Sequence, residues 1–136
     1  IDMLYEFWDW MTDALMDGKR VVGHNLFGFD LPFLIRRSWA LGVTVPDICL
    51  PQSGRYWSNQ FVDTMRHYCL GDSRDFVKLD TLAKWLGVGA KTEGIGGGDF
   101  AELFRSADPG ARDKAIAYLE NDVVLTHAVA KKLGVR

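Results

Sequence analysis

Two aspartates stand where a carboxylate has chemistry open to it. Asp30 closes the turn in VVGHNLFGFDLPF (residues 21–33), and Asp122 lies in YLENDVV (residues 118–124). Carboxylates supplied by separate elements and converging on one point suit hard divalent cations such as Mg²⁺ or Mn²⁺, which prefer oxygen ligands. Two such ions about 3.5–4 Å apart are the usual device for phosphodiester hydrolysis, because they activate water and stabilise charge on the phosphate. Each aspartate also has a plainer reading. Asp30, with Pro32 close behind it, fits a helix N-cap that accepts a bond from an orphan backbone N–H. Asp122 fits one half of a salt bridge to an arginine on a neighbouring helix.

The elements around them give each residue a position. A short strand is expected from Lys19 to Gly23, centred on Val21 and Val22, then a turn over 24–29 and a helix from about Leu31 to Leu41, stopped by Gly42. Asp30 therefore sits just beyond the C-terminal end of a strand, where α/β sheets place their sites. Asp108-Pro109 caps a last helix that runs to about Leu133. With 100° per residue and Ile116 at zero, Leu119, Val123 and Ala130 fall at about 300–340°, Ala115 and Leu133 at about 260°, and Ala111 and Val129 at about 220°. Lys114, Glu120, Asn121, His127, Lys131 and Lys132 fill the opposite arc, and His127 reads as a surface histidine. Tyr118 and Asp122 land at about 200° and 240°, inside the apolar arc and one turn apart. A carboxylate there is expected to be partly buried, and so to need a metal, a cation or several donors.

The remaining segments read as scaffold. Residues 2–17 form an amphipathic helix with Met3, Leu4, Phe7, Trp8, Met11, Ala14 and Leu15 on one face and five acids on the other, ended by Gly18. Residues 43–60, with Pro46, Pro51 and a Ser-Gly pair, read as an irregular excursion. FVDTM (61–65) is the second strand candidate, and LDTLAKWL (79–86) is a helix followed by Gly87. The loop GVGAKTEGIGGG lacks phosphate-loop spacing. Asp99 to Glu102 resembles a capping box with Asp99 as cap, opening a short helix to about Ser106. Helix, strand, helix, strand and three helices imply an α/β fold with parallel strands. Two strands are too few to cover five helices, so part of the sheet is expected to lie outside these residues.

Composition narrows the class. A chain of 136 residues suits one domain, 1–136, and 48% apolar with 25% charged residues is ordinary for a globular protein. Five Trp and eight Phe read mostly as core anchors. Net charge is −2, with five acids and no base in residues 1–17, which leaves 16 basic against 13 acidic residues in the remainder. That is no strongly basic binder, but it leaves nucleic acid open as a partner. Cys49 and Cys69 form neither a zinc pattern nor a disulfide framework, as expected of reduced thiols in a cytoplasmic protein. No 18-residue apolar run is present, so no membrane span is expected, and the acidic N-terminus is not a signal peptide. The chain starts at Ile1 rather than Met, so either something has been removed or this is a segment of a longer protein.

Taken together, the motifs resemble the 3′–5′ exonucleases of the DnaQ-like, ribonuclease H-like superfamily, and most closely the proofreading-type exonuclease domain of family B DNA polymerases in its free-standing bacterial form. HNLFGFD matches the second motif, N-x-x-x-F-D, at Asn25, Phe29 and Asp30. YLEND matches the third, Y-x-x-x-D, at Tyr118 and Asp122, and the tyrosine marks the DEDDy branch. VDTMRHY, LDTLAKWLGV and K-T-x-G-I-G-G resemble the family's linking region, so the likeness covers nearly the whole chain. The resemblance implies that Asp30 and Asp122 are metal ligands for two Mg²⁺ or Mn²⁺ ions. It implies that Tyr118 orients the attacking water and that Asn25 helps position substrate. Phe29 is expected to pack the turn or to back a terminal base, and Asp63 is set aside as a lesser candidate. The implied substrate is the single-stranded 3′ end of DNA.

One departure is serious. The family's first motif, D-x-E, supplies two of four metal carboxylates, and no D-x-E occurs here. In the family it lies upstream, with the first three strands. The chain is thus expected to be the C-terminal part of an N-terminally incomplete exonuclease domain, negligibly active by itself because too few oxygen ligands remain. Two other readings stay open: a catalytically inactive exonuclease fold that binds nucleic acid or protein, and an exoribonuclease of the same superfamily, which would differ in contacts to the 2′-OH. A purely structural helical protein accounts for the helices but not for the place of Asp122. The sequence does not set the oligomeric state.

Overall fold

The computed structural model describes residues 1–51 and 60–135. The chain divides into two compact units, Ile1–Phe76 and Val77–Arg136.

In the first unit, α1 (Asp2–Met16) buries Leu4, Trp8, Met11 and Leu15, which recur every three or four residues along one face. Met3, expected on that face, is exposed. Gly18 closes the helix with φ of +75°, and the Lys19 N–H reaches back to the Ala14 carbonyl at 2.9 Å. Two strands follow, β1 (Val21–Gly23) and β2 (Phe61–Asp63), paired parallel with Val21 opposite Phe61 and Gly23 opposite Asp63. Both are shorter than the sequence suggests. The expected strand over 61–65 stops at Asp63, whose carboxylate accepts from the Met65 N–H and so caps a new helix, α3 (Thr64–Tyr68).

Between β1 and α2 (Leu31–Ala40) the chain makes a π-helical turn, Leu26–Asp30. The core of this unit joins the α1 face to Leu26, Leu31, Ile35, Val43, Val45, Cys49 and Phe61. The Trp8 indole donates to Ser38 Oγ at 2.8 Å, so the largest buried side chain has its polar atom satisfied. Cys49 and Cys69 are free thiols, both buried. The irregular excursion is seen as far as Pro51, with one 3₁₀ turn at Asp47–Cys49, and positions 52–59 lie outside the described residues.

The second unit packs α4 (Leu79–Leu86) and α5 (Gly97–Arg105) against the long α6 (Pro109–Lys132). Gly87 ends α4 in the left-handed region, with the Val88 N–H bonded to the Ala83 carbonyl at 3.0 Å. Asp108 caps α6 through the Gly110 N–H, as its sequence indicates.

Three expectations are corrected here. Asp99 is not the cap of α5. It stands at the third helical position, and its carboxylate accepts from the N–H of Gly96, which occupies the cap. On α6 the buried residues are Ala115, Tyr118, Leu125, Val129 and Ala130, while Ile116, Leu119 and Val123 are exposed. The helix is apolar on more than one side, so periodicity alone could not choose the face, and packing against α4 and α5 did. The aromatic residues are less buried than their number suggests: Trp8 and Phe61 are core, but Trp10, Trp39, Trp85, Phe29 and Phe33 are exposed.

Candidate functional site

The β1–α2 turn is organised by one carboxylate. Asp63 is only 3% exposed and accepts the Asn25 N–H at 2.9 Å, the Phe27 N–H at 3.0 Å and the Met65 N–H at 3.1 Å. Arg66 Nε lies 3.8 Å from its Oδ2. Three backbone donors and a guanidinium offset the desolvation of the charge, which is why a carboxylate can be held this deep. Parallel pairing puts the ends of β1 and β2 side by side, so Asp63 can hold the first turn after β1. Sequence reasoning set Asp63 aside. The available signal was an aspartate closing the short apolar pair Phe61-Val62 ahead of a polar helical stretch, a cap pattern.

Within the turn, Asn25 adopts φ 64° and ψ 30°, a left-handed conformation that asparagine tolerates better than most residues. Its carbonyl accepts from the Phe29 N–H at 3.0 Å. A Cβ at position 28 would collide with Asn25 Oδ1, so Gly28 is what lets the Asn25 side chain fold over the turn. The Thr64 hydroxyl donates to the Gly23 carbonyl at 3.2 Å, and His24 Nδ1 lies 2.9 Å from that hydroxyl. With the one Thr64 proton committed, His24 Nδ1–H is the donor.

Asp30 is not a capping residue. Its backbone is helical, continuous with α2, and its side chain makes no capping bond, whereas a cap needs extended backbone. The residue is exposed, yet protein atoms crowd its carboxyl enough to raise its pKa, an effect to which the nearby Asp63 carboxylate adds and its own backbone N–H is opposed. Phe29 does not pack inside the turn: it is 62% exposed and stacks on Phe33 with ring centroids 5.9 Å apart. The structure thus brings Asn25, Phe29 and Asp30 onto one turn.

Tyr118 and Asp122 share the buried side of α6, one turn apart, as their spacing predicts. The expected salt bridge exists, but its partner is Lys91, from the loop after α4, rather than an arginine: Lys91 Nζ is 2.9 Å from Asp122 Oδ2. It also lies 5.0 Å from the centroid of the Tyr118 ring. Asp80 aims this lysine. Its carboxylate accepts the Lys91 backbone N–H at 2.8 Å and pairs with Lys84 at 2.7 Å, pinning the loop to α4. Burial works against the Lys91 charge, but bonds to Tyr118 and Asp122 outweigh it and hold the ammonium above its ordinary pKa. Asp122 Oδ1 is buried with no partner. A half-satisfied carboxylate of this kind is a place for a cation or a water.

Both aspartates fit a hard divalent cation by chemistry: one has an orphaned oxygen, and the other has a neighbouring negative charge that a cation would relieve. Among the described residues no three His, Cys, Asp or Glu side chains gather to hold a metal. No helix among the described residues is long and apolar enough to cross a membrane.

A parallel strand pair within a mostly helical chain is compatible with an α/β fold. The RNase_H superfamily model RNase_H_2 matches residues 3–134, and the chain belongs to the RNase H superfamily. Nucleases of that superfamily generally use divalent metals. No curated protein and no solved structure matches the chain significantly.

Proposed function

We propose that the chain is part of a metal-dependent 3′–5′ exonuclease of the DEDDy branch that removes nucleotides from the 3′ end of DNA. Asp30 and Asp122 are the metal-ligating carboxylates of this reading. The complete two-ion set needs a D-x-E pair that residues 1–136 do not carry. The observation that carries the reading is Asp122: one oxygen is held by Lys91 and the other is buried without a partner, one helical turn from a buried tyrosine. Structural ion pairs are normally satisfied on both oxygens.

When bound, the cations supply activation of water and neutralisation of charge at the scissile phosphate. The remaining work falls to this chain. Tyr118 orients the attacking water through its hydroxyl. Lys91, held by Asp80, fixes the rotamer of Asp122 and lies against the Tyr118 ring. Asn25, locked in its turn by Asp63, positions the strand, and Phe29 offers a ring to the terminal base.

The test is a calorimetric Mn²⁺ titration of residues 1–136. Weak binding is expected, lost in Asp122→Asn and reduced in Asp30→Asn. Wild-type binding unchanged in Asp122→Asn would overturn the assignment. Residues 1–136 should degrade a 5′-labelled oligonucleotide negligibly. Robust Mn²⁺-dependent degradation that vanishes in Asp122→Ala would overturn the need for further carboxylates. One observation favours a second reading, a catalytically inactive nucleic-acid-binding fold. Lys91 already sits on Asp122 Oδ2, where a metal would bind, and in that case no titration would show Mn²⁺ binding at all.

A further inference from the structure

Helix α2 and the π-helical turn before it carry on their outer side a feature that the metal chemistry does not use. Phe29 and Phe33 are stacked on each other, 5.9 Å between centroids and 12° between planes, and remain 62% and 57% exposed. Arg36 and Arg37 follow one turn on, also exposed, with no carboxylate within ion-pair distance among the described residues. The spacing from Phe29 to Phe33, to Arg36 and Arg37, and to Ala40 places all five along one ridge. The helix itself, LPFLIRRSWA, contains no acid.

Each bland explanation covers only part of this. Arg37 in the last turn complements the helix dipole, but Arg36 and the aromatic pair gain nothing from that. Neither ring packs into the core of the first unit. Two open aromatic rings followed by two unpaired cations are what a flexible polyanion with flat bases requires: stacking surfaces for bases and charges for the backbone. At about 1.5 Å per residue the ridge from Phe29 to Arg37 is about 12 Å long, matching about four stacked nucleotides at about 3.4 Å each.

Building on the exonuclease reading, we infer that the outer ridge of α2 and of the turn before it, made of Phe29, Phe33, Arg36 and Arg37, is a binding track for single-stranded DNA that leads to the Asp30 carboxylate. Bases stack on the Phe29–Phe33 pair, and phosphates meet the two arginines. Duplex DNA fits poorly, because its bases cannot reach the rings without unstacking.

Fluorescence anisotropy of residues 1–136 with 5′-fluorescein-dT12 in EDTA tests the track. Metal is absent, so failure of the metal-centred reading leaves the measurement intact, and failure of the track leaves the Mn²⁺ titration intact. Phe33→Ala is expected to weaken binding about tenfold, and Phe33→Tyr to restore it, since only an aromatic face is needed. Arg36→Ala with Arg37→Ala is expected to weaken binding and to lower the slope of log K against log salt by about 1.4. Both sets of side chains are exposed, and the arginine pair provides an independent arm should Phe33→Ala fold poorly. Unchanged binding in both sets overturns the track. Equal affinity for a dT12·dA12 duplex overturns the stacking role, and a clear preference for rU12 over dT12 overturns the assignment to DNA.

Discussion

At the scale of single residues, Asp63 holds more of the site in place than either motif aspartate. Its carboxylate takes three backbone N–H groups from the two chain segments that make the turn. Asp63→Ala strands those donors in a buried place and leaves Arg66 without its carboxylate, so a loss of about 3 kcal/mol is expected in urea unfolding. Asp30 makes a different prediction. Its pKa is raised above 3.8, chiefly by partial burial and then by Asp63, so the folded chain holds this proton more tightly than the unfolded one. Its contribution is present below the unfolded pKa and lost as pH rises through the folded value. Metal-free wild type should therefore lose stability relative to Asp30→Asn across that window, and a pair of acid-range melting series checks the sign. The motif residues were legible because their types and spacing are chemical signals. Asp63 was legible at most as the cap of α3, because its other two backbone partners, Asn25 and Phe27, lie nearly forty residues away and no local pattern announces them.

At the scale of elements, the caps were legible and the faces only partly so. Asp108-Pro109 and Gly87 do what their local chemistry dictates. The π-helical turn at Leu26–Asp30 was not legible, because it depends on Asn25 in a left-handed conformation and on Asp63 across the sheet. Helix α6 tests the corrected face. Leu125 is buried, whereas Val123 is exposed although the periodicity places it inward. Leu125→Ala is expected to cost about 3 kcal/mol, and Val123→Ala less than about 0.5 kcal/mol. Equal costs in thermal melts would restore the face read from periodicity.

At the scale of the whole molecule, the superfamily assignment spans residues 3–134, so the two compact units both belong to the fold it names. The α/β class was legible from the alternation of strand and helix patterns. The division at residue 76 was not, since no proline-rich or glycine-rich linker marks it. The sheet among the described residues has two strands, and parallel pairs of that size present long unpaired edges for their length. The chain should self-associate with rising concentration, and Val22→Lys, which puts a charge on β1, should reduce this. Light scattering after size exclusion over a range of loadings checks it, and a monodisperse monomer throughout would contradict the expectation.

Both thiols of the molecule lie in the first unit, and both are shut away from solvent. Burial pushes the Cys49 thiol up in pKa against the opposing bond to Thr12, so in the closed state it is neither accessible nor nucleophilic. Alkylation can then proceed only through transient opening, and its rate clocks the excursions of the α1 core and the β1–α2 turn beside it. The helical unit, which has no cysteine, is silent in that assay. Nature has in effect placed a reporter on one half of the protein, and hydrogen exchange across α6 would supply the other half, so the breathing of the Asp30 turn and of the Asp122 helix can be timed apart in unlabelled, unmutated protein.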